Sequence, residues 1–357
     1  MNKFKILTIN PGSTSTKFAI YDGQEAELEI NLKHDTTQLK KFNRTIEEFE
    51  FRKEAILTAL HQKEVEFESI DAISARGGLL KPITGGTYIV NQQMLADLKT
   101  GIYGEHASNL GALIAQEIAE EFDIPAYIVD PVVVDEFEEV ARVSGHPKFE
   151  RKSIFHALNQ KAMARKASTD LGVDYQDLNL IVAHLGGGIS IGAHKQGRVV
   201  DANNALDGEG PFTPARSGTL PAGDLMRLSF SGDYSLSEVY KMIVGQGGLT
   251  AYCGTADAKE IEEKIKGGDQ EAGFYYRAMA YQVAKWIGAV GTVLKGEIDA
   301  IVITGGIAYS KIFTEMIIER IGFMAPVKIY PGENELKALA QGALRVLNGR
   351  EEPKIYN

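Results

Sequence analysis

Residues 9–18 read INPGSTSTKF and place one glycine, four hydroxyl side chains and one lysine close together. Backbone N–H groups and hydroxyls in a tight turn can surround a phosphate. The P-loop pattern G-x-x-x-x-G-K-[ST] does not fit, because Thr16 occupies the second glycine position and Phe18 the position of the Mg²⁺-binding hydroxyl. The following residues, KFAIYD, predict a strand rather than a helix. The segment is therefore a turn between two strands that either binds a phosphate or is an ordinary Gly, Ser and Thr turn.

A second glycine-rich turn lies in NLIVAHLGGGISIGAHKQGRVVDANN, residues 179–204, which repeats the opening order of strand, turn, strand, short turn and strand. The pattern D-A-I-x-x-x-G-G also occurs twice, at 71–78 and 299–306. Each copy precedes a segment with apolar residues at helical spacing and then a short strand. Both halves of the chain therefore predict the order βββαβαβ, and the second half has roughly 50 extra residues between about 205 and 260.

Composition restricts the class of protein. The 357 residues include 38 basic and 48 acidic side chains, a formal net charge of −10, which gives no electrostatic support for nucleic acid or an anionic membrane as a partner. The one cysteine, Cys253, excludes a disulfide framework within the chain and favours the reducing cytoplasm. Since there is no secretory signal and no apolar stretch of about 18 residues, we predict a soluble intracellular protein with no membrane partner.

Two α/β halves that each carry a glycine-rich turn resemble the actin, Hsp70 and sugar-kinase superfamily. The resemblance implies two similar ribonuclease H-like (actin-like ATPase) domains, with ATP in the cleft between them. We expect an N-terminal domain of residues 1–152 plus 340–357. The C-terminal domain is expected at 153–339, with an insertion around 205–260.

Seven motifs extend the likeness, in order, over nearly the whole chain to the acetate kinase family. They are INPGSTSTKF (9–18), VDPVVVDEF (129–137), SIFHALNQ (153–160), AHLGGGISIG (183–192), TPARSGTLPAGDL (213–225), VITGGIAYS (302–310) and YPGENELKALA (330–340). Two departures, SARGG where acetate kinases have H-R-V-V-H-G-G and HLGGG where they have H-L-G-N-G, are more similar to butyrate kinases. The second departure removes, at Gly187, an amide that in relatives touches the nucleotide phosphate.

The resemblance implies an ATP-dependent carboxylate kinase that forms an acyl phosphate and ADP reversibly. Butyrate or a similar short straight or branched acid is the expected substrate, an acetate or propionate kinase is the alternative, and a homo-oligomer, a dimer or larger, is expected. A hypothesis of another class is an ATP-switched binding protein of the actin or Hsp70 kind. A carboxylate with a pKa of about 4 to 5 is already ionised at pH 7, so the reaction needs no general base. The protein must position two anions and neutralise them with cations, hydrogen-bond donors and Mg²⁺.

Five residues are the predicted catalytic set. Arg76 and Arg216 stand before small residues at loop positions, where guanidinium groups could bind carboxylate and phosphoryl oxygens, although each could also be a surface ion-pair residue. The resemblance adds His156 and His184 as donors to the transferring phosphoryl group. It also adds Asp130 as the Mg²⁺ partner; an aspartate that ends a strand before proline is also a common turn starter.

The resemblance also implies ligands for phosphate, nucleoside and metal among the remaining residues. They are Asn10, Gly12, Ser13, Ser15 and Lys17 in the first turn, Gly186, Gly187 and Gly188 in the second, Gly305 and Gly306 near the adenosine, Asp257 near the nucleoside, and Glu335 at the metal, with Glu333 as its alternative. His106 either matches another family histidine or caps the helix that follows. The other histidines, His34, His61, His146 and His194, have no motif around them and are predicted at the surface.

Gly77 and Gly78 stand where acetate kinases have two valines. We predict that the missing side chains enlarge the acyl pocket beside Leu79, Leu80 and Phe155. Two extra buried CH₂ groups would then favour four carbons over two by roughly 15-fold. The alternative is that a turn with positive φ requires glycine at these positions.

Overall fold

The computed structural model describes residues 3–357, which form two compact α/β units. Unit 1 runs to Asp135 and includes Asn334–Asn357, and unit 2 is Glu136–Glu333. The sequence placed these divisions later, at 152/153 and 339/340. The physical reason for the difference is that residues 136–152 bond within unit 2: Glu136 pairs with Lys161 at 2.9 Å and Arg151 with Asp201 at 2.9 Å.

Unit 1 is built on a seven-stranded sheet. With strands numbered along the whole chain, they are β1 Lys5–Pro11, β2 Ser15–Asp22, β3 Glu25–Lys33, β4 Ala72–Arg76, β5 Thr87–Ile89, β6 Ala126–Val129 and β12 Lys354–Ile355. Their order is β12-β5-β6-β4-β1-β2-β3, in which β1, β2 and β3 form an antiparallel meander and β4 is parallel to both β1 and β6. The helices of this unit are α1 Thr36–Leu39, α2 Phe49–Gln62, α3 Gln92–Thr100, α4 Asn109–Glu121 and α13 Glu335–Leu347.

Both faces of this sheet are covered, because successive side chains of a strand point to opposite faces. On β1, Leu7 and Ile9 pack in the same cluster as Leu110 and other residues of α4. Ile6 points to the opposite face of the sheet and packs with Leu336 and other residues of α13. Helices on both faces leave the strand ends as the place where polar groups gather.

Unit 2 has a five-stranded sheet in the order β11-β10-β7-β8-β9. Its strands are β7 Asn179–Leu185, β8 Ile189–Lys195, β9 Arg198–Ala202, β10 Ala300–Gly305 and β11 Val327–Pro331. Its helices are α5 Glu139–Arg142, α6 Ala157–Leu171, α7 Ala222–Ser229, α8 Leu236–Ile243, α9 Gly248–Cys253, α10 Ala258–Lys266, α11 Gln270–Val293 and α12 Lys311–Ile321. Helices α7 to α10 follow the meander and form the predicted insertion.

The predicted order βββαβαβ is confirmed in each unit, as are the helices and strands after both D-A-I repeats. Two short strands, β5 and β12, were not predicted; they add to the β6 edge of unit 1. At three and two residues they are too short to show a periodic pattern. Within residues 3–357, no helix combines the length and the apolar character that crossing a membrane requires.

Candidate active site

Three polar side chains predicted to bind substrate or metal meet in unit 1. Asn10 lies near the end of β1 and Arg76 ends β4, and because these strands are parallel their carboxyl ends share one edge of the sheet. Glu335 is the first residue of α13. Its Oε1 lies 3.0 Å from Nη1 of Arg76, and its Oε2 accepts a hydrogen bond of 2.6 Å from Nδ2 of Asn10. The Arg76 side chain is 33% exposed, so an anion can reach the guanidinium.

Glu335, and not its alternative Glu333, joins this cluster. Asn334 has a φ of +45°, which turns the chain sharply between the two glutamates. The side chain of Glu333 is exposed. Its backbone carbonyl accepts a hydrogen bond of 2.7 Å from Nδ2 of Asn159 in unit 2. The carboxylate that faces Arg76 is therefore the one at 335.

The first glycine-rich turn is held by a residue that the sequence analysis missed. Arg52, on α2, is fully buried. Its guanidinium donates to the carbonyls of Gly12 at 2.9 Å, Ser13 at 3.2 Å and Ser15 at 3.2 Å. It also donates to Oγ1 of Thr16 at 3.1 Å and, through Nε, to Glu48 at 2.7 Å. One guanidinium therefore fixes the backbone of the whole turn.

Because Arg52 binds these carbonyls, the groups of the turn that remain available to a ligand are N–H and hydroxyl donors. The remaining carbonyl, that of Thr14, accepts the N–H of His34 at 2.9 Å. Ser13 and Thr14 are exposed, and no hydrogen bond within residues 3–357 uses their N–H or hydroxyl groups. Lys17 is exposed and pairs directly with Asn10 across β1 and β2, so both side chains leave the same face of the sheet. This arrangement suits an anion, and the assignment of Gly12, Ser13, Ser15 and Lys17 to phosphate stays a prediction.

Asp130 follows β6 and is buried, with a φ of +37°. Its Oδ1 accepts the N–H of Gly86 at 2.7 Å, and its own N–H donates to the carbonyl of Gly86 at 3.0 Å. A left-handed backbone at a residue other than glycine costs about 1–3 kcal/mol. These two hydrogen bonds offset that cost and fix the carboxylate. Among the described residues, no group of three His, Cys, Asp or Glu side chains could hold a metal ion.

In unit 2 the rings of His156 and His184 stack, with centroids 3.8 Å apart and planes 15° apart. His156 lies directly before α6, and His184 lies in β7. Burial lowers the pKa of His184 to about 3, so its imidazole is neutral at pH 7. Nδ1 of His156 lies 2.8 Å from the Ser190 hydroxyl, and Nδ1 of His184 lies 2.7 Å from Oδ1 of Asn159. Sequence reasoning assigned both histidines but neither of these partners.

The second glycine-rich turn lies against Arg216. The Gly186 N–H donates to the Gly188 carbonyl at 3.0 Å, and the Thr213 hydroxyl donates to the Gly187 carbonyl at 2.6 Å. A Cβ on Gly188 would come within 2.9 Å of the Arg216 Cζ, so only glycine allows this approach. Nη1 of Arg216 donates to the carbonyl of Ala205. Burial lowers the pKa of Arg216, but from so high a value that the guanidinium stays charged.

The two predicted adenosine glycines differ in what surrounds them. Gly305 has a φ of +91°, and a Cβ there would overlap the backbone of Leu185, so this glycine is required by the fold. At Gly306, as at Gly187, no atom of the described residues outside the local backbone lies within 4 Å of the position of a Cβ. Asp257 caps α10 by accepting the N–H of Lys259 at 2.8 Å. Capping explains that aspartate, and its contact with the nucleoside stays a prediction.

The predicted enlarged acyl pocket at Gly77 and Gly78 is wrong. A Cβ on Gly78 would lie 2.5 Å from both Cα and Oδ1 of Asn109, at the start of α4. A Cβ on Gly77 would lie 2.5 Å from Cβ of Pro131. The alternative of a positive φ is also wrong, since neither glycine adopts one. These glycines are required because α4 and the residues after β6 approach the chain closely.

Two of the four histidines predicted at the surface are buried. His34 contacts Oγ1 of Thr16 through Nε2 at 2.8 Å. His194 lies between the hydroxyl of Tyr175 and the amide of Gln160. The other two, His61 and His146, are exposed as predicted.

His106 bonds within the turn before α4 and does not cap the helix itself. Its Nδ1 accepts the N–H of Ser108, the residue before α4, at 3.2 Å. Burial and the nearby positive charges of Arg76 and Arg52 lower the pKa of His106, so this ring lies close to the Arg76 cluster.

The chain is similar to known proteins over most of its length. The family model described as the acetokinase family matches residues 147–345. A curated relative, butyrate kinase 2 of Clostridium acetobutylicum, is 56% identical over 354 residues, which cover 99% of both chains. The crystal structure of Porphyromonas gingivalis acetate kinase superposes with a TM-score of 0.80 at 21% identity, covering 96% of this chain and 100% of that one. A propionate kinase structure from Francisella tularensis gives 0.75 at 21% identity, covering 95% and 98%.

The two sheets, each with an antiparallel meander continued by parallel strands, define a protein of the actin-like ATPase fold. The chain belongs to the acetokinase family. It is therefore a phosphotransferase that uses ATP or ADP and acts on a carboxyl group.

Proposed function

We propose that this chain catalyses reversible phosphoryl transfer from ATP to butyrate, or to a related short straight or branched fatty acid, giving an acyl phosphate and ADP. The observation that carries the proposal is the cluster of Arg76, Asn10 and Glu335, a fixed and partly exposed guanidinium beside the first phosphate turn. The 56% identity to a protein named butyrate kinase supports the choice of acid.

The proposed reaction needs positioning more than proton transfer. The carboxylate acceptor is ionised at pH 7, so its oxygen attacks the γ-phosphorus directly while the bond to the β-phosphate oxygen breaks. Arg76 binds the acceptor carboxylate, and Arg216 and His156 stabilise the equatorial phosphoryl oxygens. The first turn, with Lys17, and the second turn bind the nucleotide phosphates. The open space beside Gly306 and Gly187, among the residues that the structure describes, is compatible with a phosphate or nucleoside close to the backbone there.

Magnesium fits the donor set of unit 1. Mg²⁺ in kinases keeps several waters and is bound by one or two carboxylates together with the substrate phosphates. Asp130 and Glu335 are two such carboxylates, and each is oriented by N–H donors. When bound, the ion would neutralise charge on the nucleotide phosphates. The metal-binding role of both residues is part of the proposal.

The proposal that butyrate is the preferred acid is supported by the identity to the curated butyrate kinase, and not by the glycines at 77 and 78. An assay that traps acyl phosphate as hydroxamate, run across C2 to C6 acids, tests it directly. We expect acid-dependent ADP formation with the highest kcat/KM at four or five carbons. Highest activity on acetate or propionate would overturn the butyrate assignment. ATP turnover whose rate does not depend on added acid would instead favour an ATP-switched binding protein.

Cytoplasmic location and a homo-oligomer, a dimer or larger, are further parts of the proposal. The single cysteine and the acidic composition support the first. Exposed apolar side chains of the insertion, such as Phe230 and Leu236, are compatible with the second. Light scattering coupled to size exclusion measures the mass, and a value near the 39.0 kDa of one chain would exclude the oligomer.

A further inference from the structure

The stacked histidines of unit 2 each contact a polar side chain through Nδ1. Which ring nitrogen carries the proton decides whether Nε2 can donate or can only accept. The contacts of the buried partners answer this question for each ring, because backbone carbonyls fix the direction of the two amides involved.

The first amide is that of Gln160, which is fully buried. Its Nε2 lies 3.0 Å from the backbone carbonyl of Ser190, which can only accept, so the amide nitrogen must face it. Oε1 of Gln160 then faces Nε2 of His194 at 3.0 Å, and that nitrogen must carry a proton. Nδ1 of His194 in turn accepts from the hydroxyl of Tyr175 at 2.7 Å.

The same amide determines the direction of the Ser190 hydroxyl. Nε2 of Gln160 donates to this hydroxyl at 2.7 Å, and the backbone N–H of His156 approaches it at 3.3 Å. Both groups are donors, so the hydroxyl hydrogen of Ser190 is directed to Nδ1 of His156, 2.8 Å away. Nδ1 of His156 is therefore an acceptor, and the ring proton is on Nε2.

The second amide, that of Asn159, gives the other ring the opposite arrangement. Its Nδ2 donates to the carbonyl of Glu333 at 2.7 Å, so its Oδ1 faces Nδ1 of His184. Nδ1 of His184 must then carry the proton. Burial keeps this ring neutral at pH 7, which leaves a lone pair on Nε2.

We infer that the fold fixes the two stacked histidines in opposite tautomers, so that His156 offers an Nε2–H donor and His184 an Nε2 acceptor. This assignment rests on the proposed function when it is applied to the reaction: the Nε2–H of His156 is then the donor to the transferring phosphoryl group. His184, expected from the sequence to be a second donor, instead supports the His156 ring by stacking. Ser190 and Gln160 are positioning residues, which act on the reaction through His156.

Nitrogen NMR of the full chain with ¹⁵N-labelled histidine, without ligand at pH 7, tests this assignment. The variants His156→Gln and His184→Gln identify the two signal pairs. We expect protonated Nε2 and bare Nδ1 for His156, and the reverse for His184. The same tautomer on both rings, or a doubly protonated ring, would overturn the inference. Because the spectrum needs no turnover, its outcome is independent of whether the proposed reaction is correct.

Variants at Ser190 test the positioning role. Ser190→Ala removes the donor to Nδ1, so we expect the His156 proton to leave Nε2 in part and kcat to fall by about 10-fold or more, with KM little changed. Ser190→Thr keeps the hydroxyl and should restore the wild-type tautomer and part of kcat. A Ser190→Ala protein that retains the wild-type His156 signals would contradict the role of Ser190. Circular dichroism shows whether the Ser190 variants fold. If neither folds, the variant Tyr175→Phe is used instead, at the far end of the series of hydrogen bonds that runs through His194, Gln160 and Ser190. Without the Tyr175 hydroxyl, the Nδ1 signal of His194 should shift to that of a nitrogen that accepts no hydrogen bond. An unchanged His194 spectrum would overturn the proposed series of hydrogen bonds.

Discussion

Oε1 of Glu335 lies 3.0 Å from Nη1 of Arg76, while the other oxygen of the same carboxylate accepts from Asn10. An exposed ion pair of this length usually contributes about 0–1 kcal/mol. Here the pair is partly buried and a third group fixes the carboxylate, so its main effect is to orient the guanidinium at the end of β4. The helix start and the two strand ends are thereby joined at one point of unit 1.

We expect Arg76→Ala to lower kcat/KM by at least about 100-fold, because it removes the charge that binds the acceptor carboxylate in the proposed reaction. Glu335→Gln keeps an oxygen for Asn10 but loses the charge that orients Arg76 and that is proposed to bind Mg²⁺, and should lower kcat by about 10-fold or more. Hydroxamate trapping measures both, and circular dichroism confirms folding. Arg227→Ala, at an exposed arginine of the insertion, is the matched control and should retain full activity. Near-normal turnover of folded Arg76→Ala would exclude Arg76 from the site.

Arg216→Ala should likewise cost at least about 100-fold in kcat/KM, since its guanidinium lies against the second glycine-rich turn. Arg216→Lys keeps the charge but not the planar fork, and we expect it to recover only a minor part of the activity. Steady-state kinetics with ATP varied and then with acid varied separate the two binding steps. An unchanged kcat in folded Arg216→Ala would rule out a role in phosphoryl transfer.

The parts of this molecule that repeat or alternate could be predicted from the sequence. Both meanders, both D-A-I strands and both glycine-rich turns carry local periodicity or turn residues. Arg52 carried a weaker signal: it lies in phase with the buried Ile56 and Leu60 of α2, where an apolar residue is expected. The hydroxyl of Ser190 and the close approach of Asn109 to Gly78 gave no signal. Their partners come from elements distant in sequence, so only the folded structure brings them together.

Gly78→Ala tests whether that approach is steric. A Cβ 2.5 Å from the Cα of Asn109 cannot be accommodated without a backbone shift, so we expect a loss of about 1–3 kcal/mol in the free energy of unfolding. Urea titration measures it, with Gly187→Ala as the control at a glycine whose Cβ meets no described atom. If Gly78→Ala were as stable as the wild type and changed the preferred acid, the discarded acyl-pocket hypothesis would be restored.

Stability should fall as the pH is lowered from 7 to 5. Burial lowers the pKa of His184 to about 3, and burial and the nearby Arg52 lower the pKa of His34. Below about pH 6.5 the unfolded chain binds protons at these histidines more strongly than the folded chain does, so acid favours unfolding. The contribution of His184 is up to about 1.4 kcal/mol per pH unit, and this loss continues towards pH 3.

Urea titrations at pH 5, 6, 7 and 8 measure this dependence. His34→Gln should reduce the slope, while substitution of the exposed His61 by Gln serves as the control. A free energy of unfolding that stays constant or rises between pH 7 and pH 5 would contradict the assignment of His184 as a neutral buried ring.

The guanidinium of Arg52 holds the carbonyls of the first turn. Lysine at this position keeps the charge but has three donors on one nitrogen, which cannot reach carbonyls on both sides of the turn. Each buried carbonyl left without a partner costs about 1–3 kcal/mol. We therefore expect Arg52→Lys to lower the free energy of unfolding by several kcal/mol. Because the N–H groups of Ser13 and Thr14 lose their fixed direction, nucleotide affinity should weaken by at least about 10-fold.

Thermal unfolding and calorimetric titration with ADP separate these two effects. Glu48→Gln is the matched control, since glutamine still accepts from Nε of Arg52 and leaves the contacts to the turn intact. It should retain most of the affinity. A folded Arg52→Lys protein with wild-type affinity for ADP would mean that the turn keeps its conformation without the guanidinium, and that Arg52 serves the core of unit 1 rather than the nucleotide.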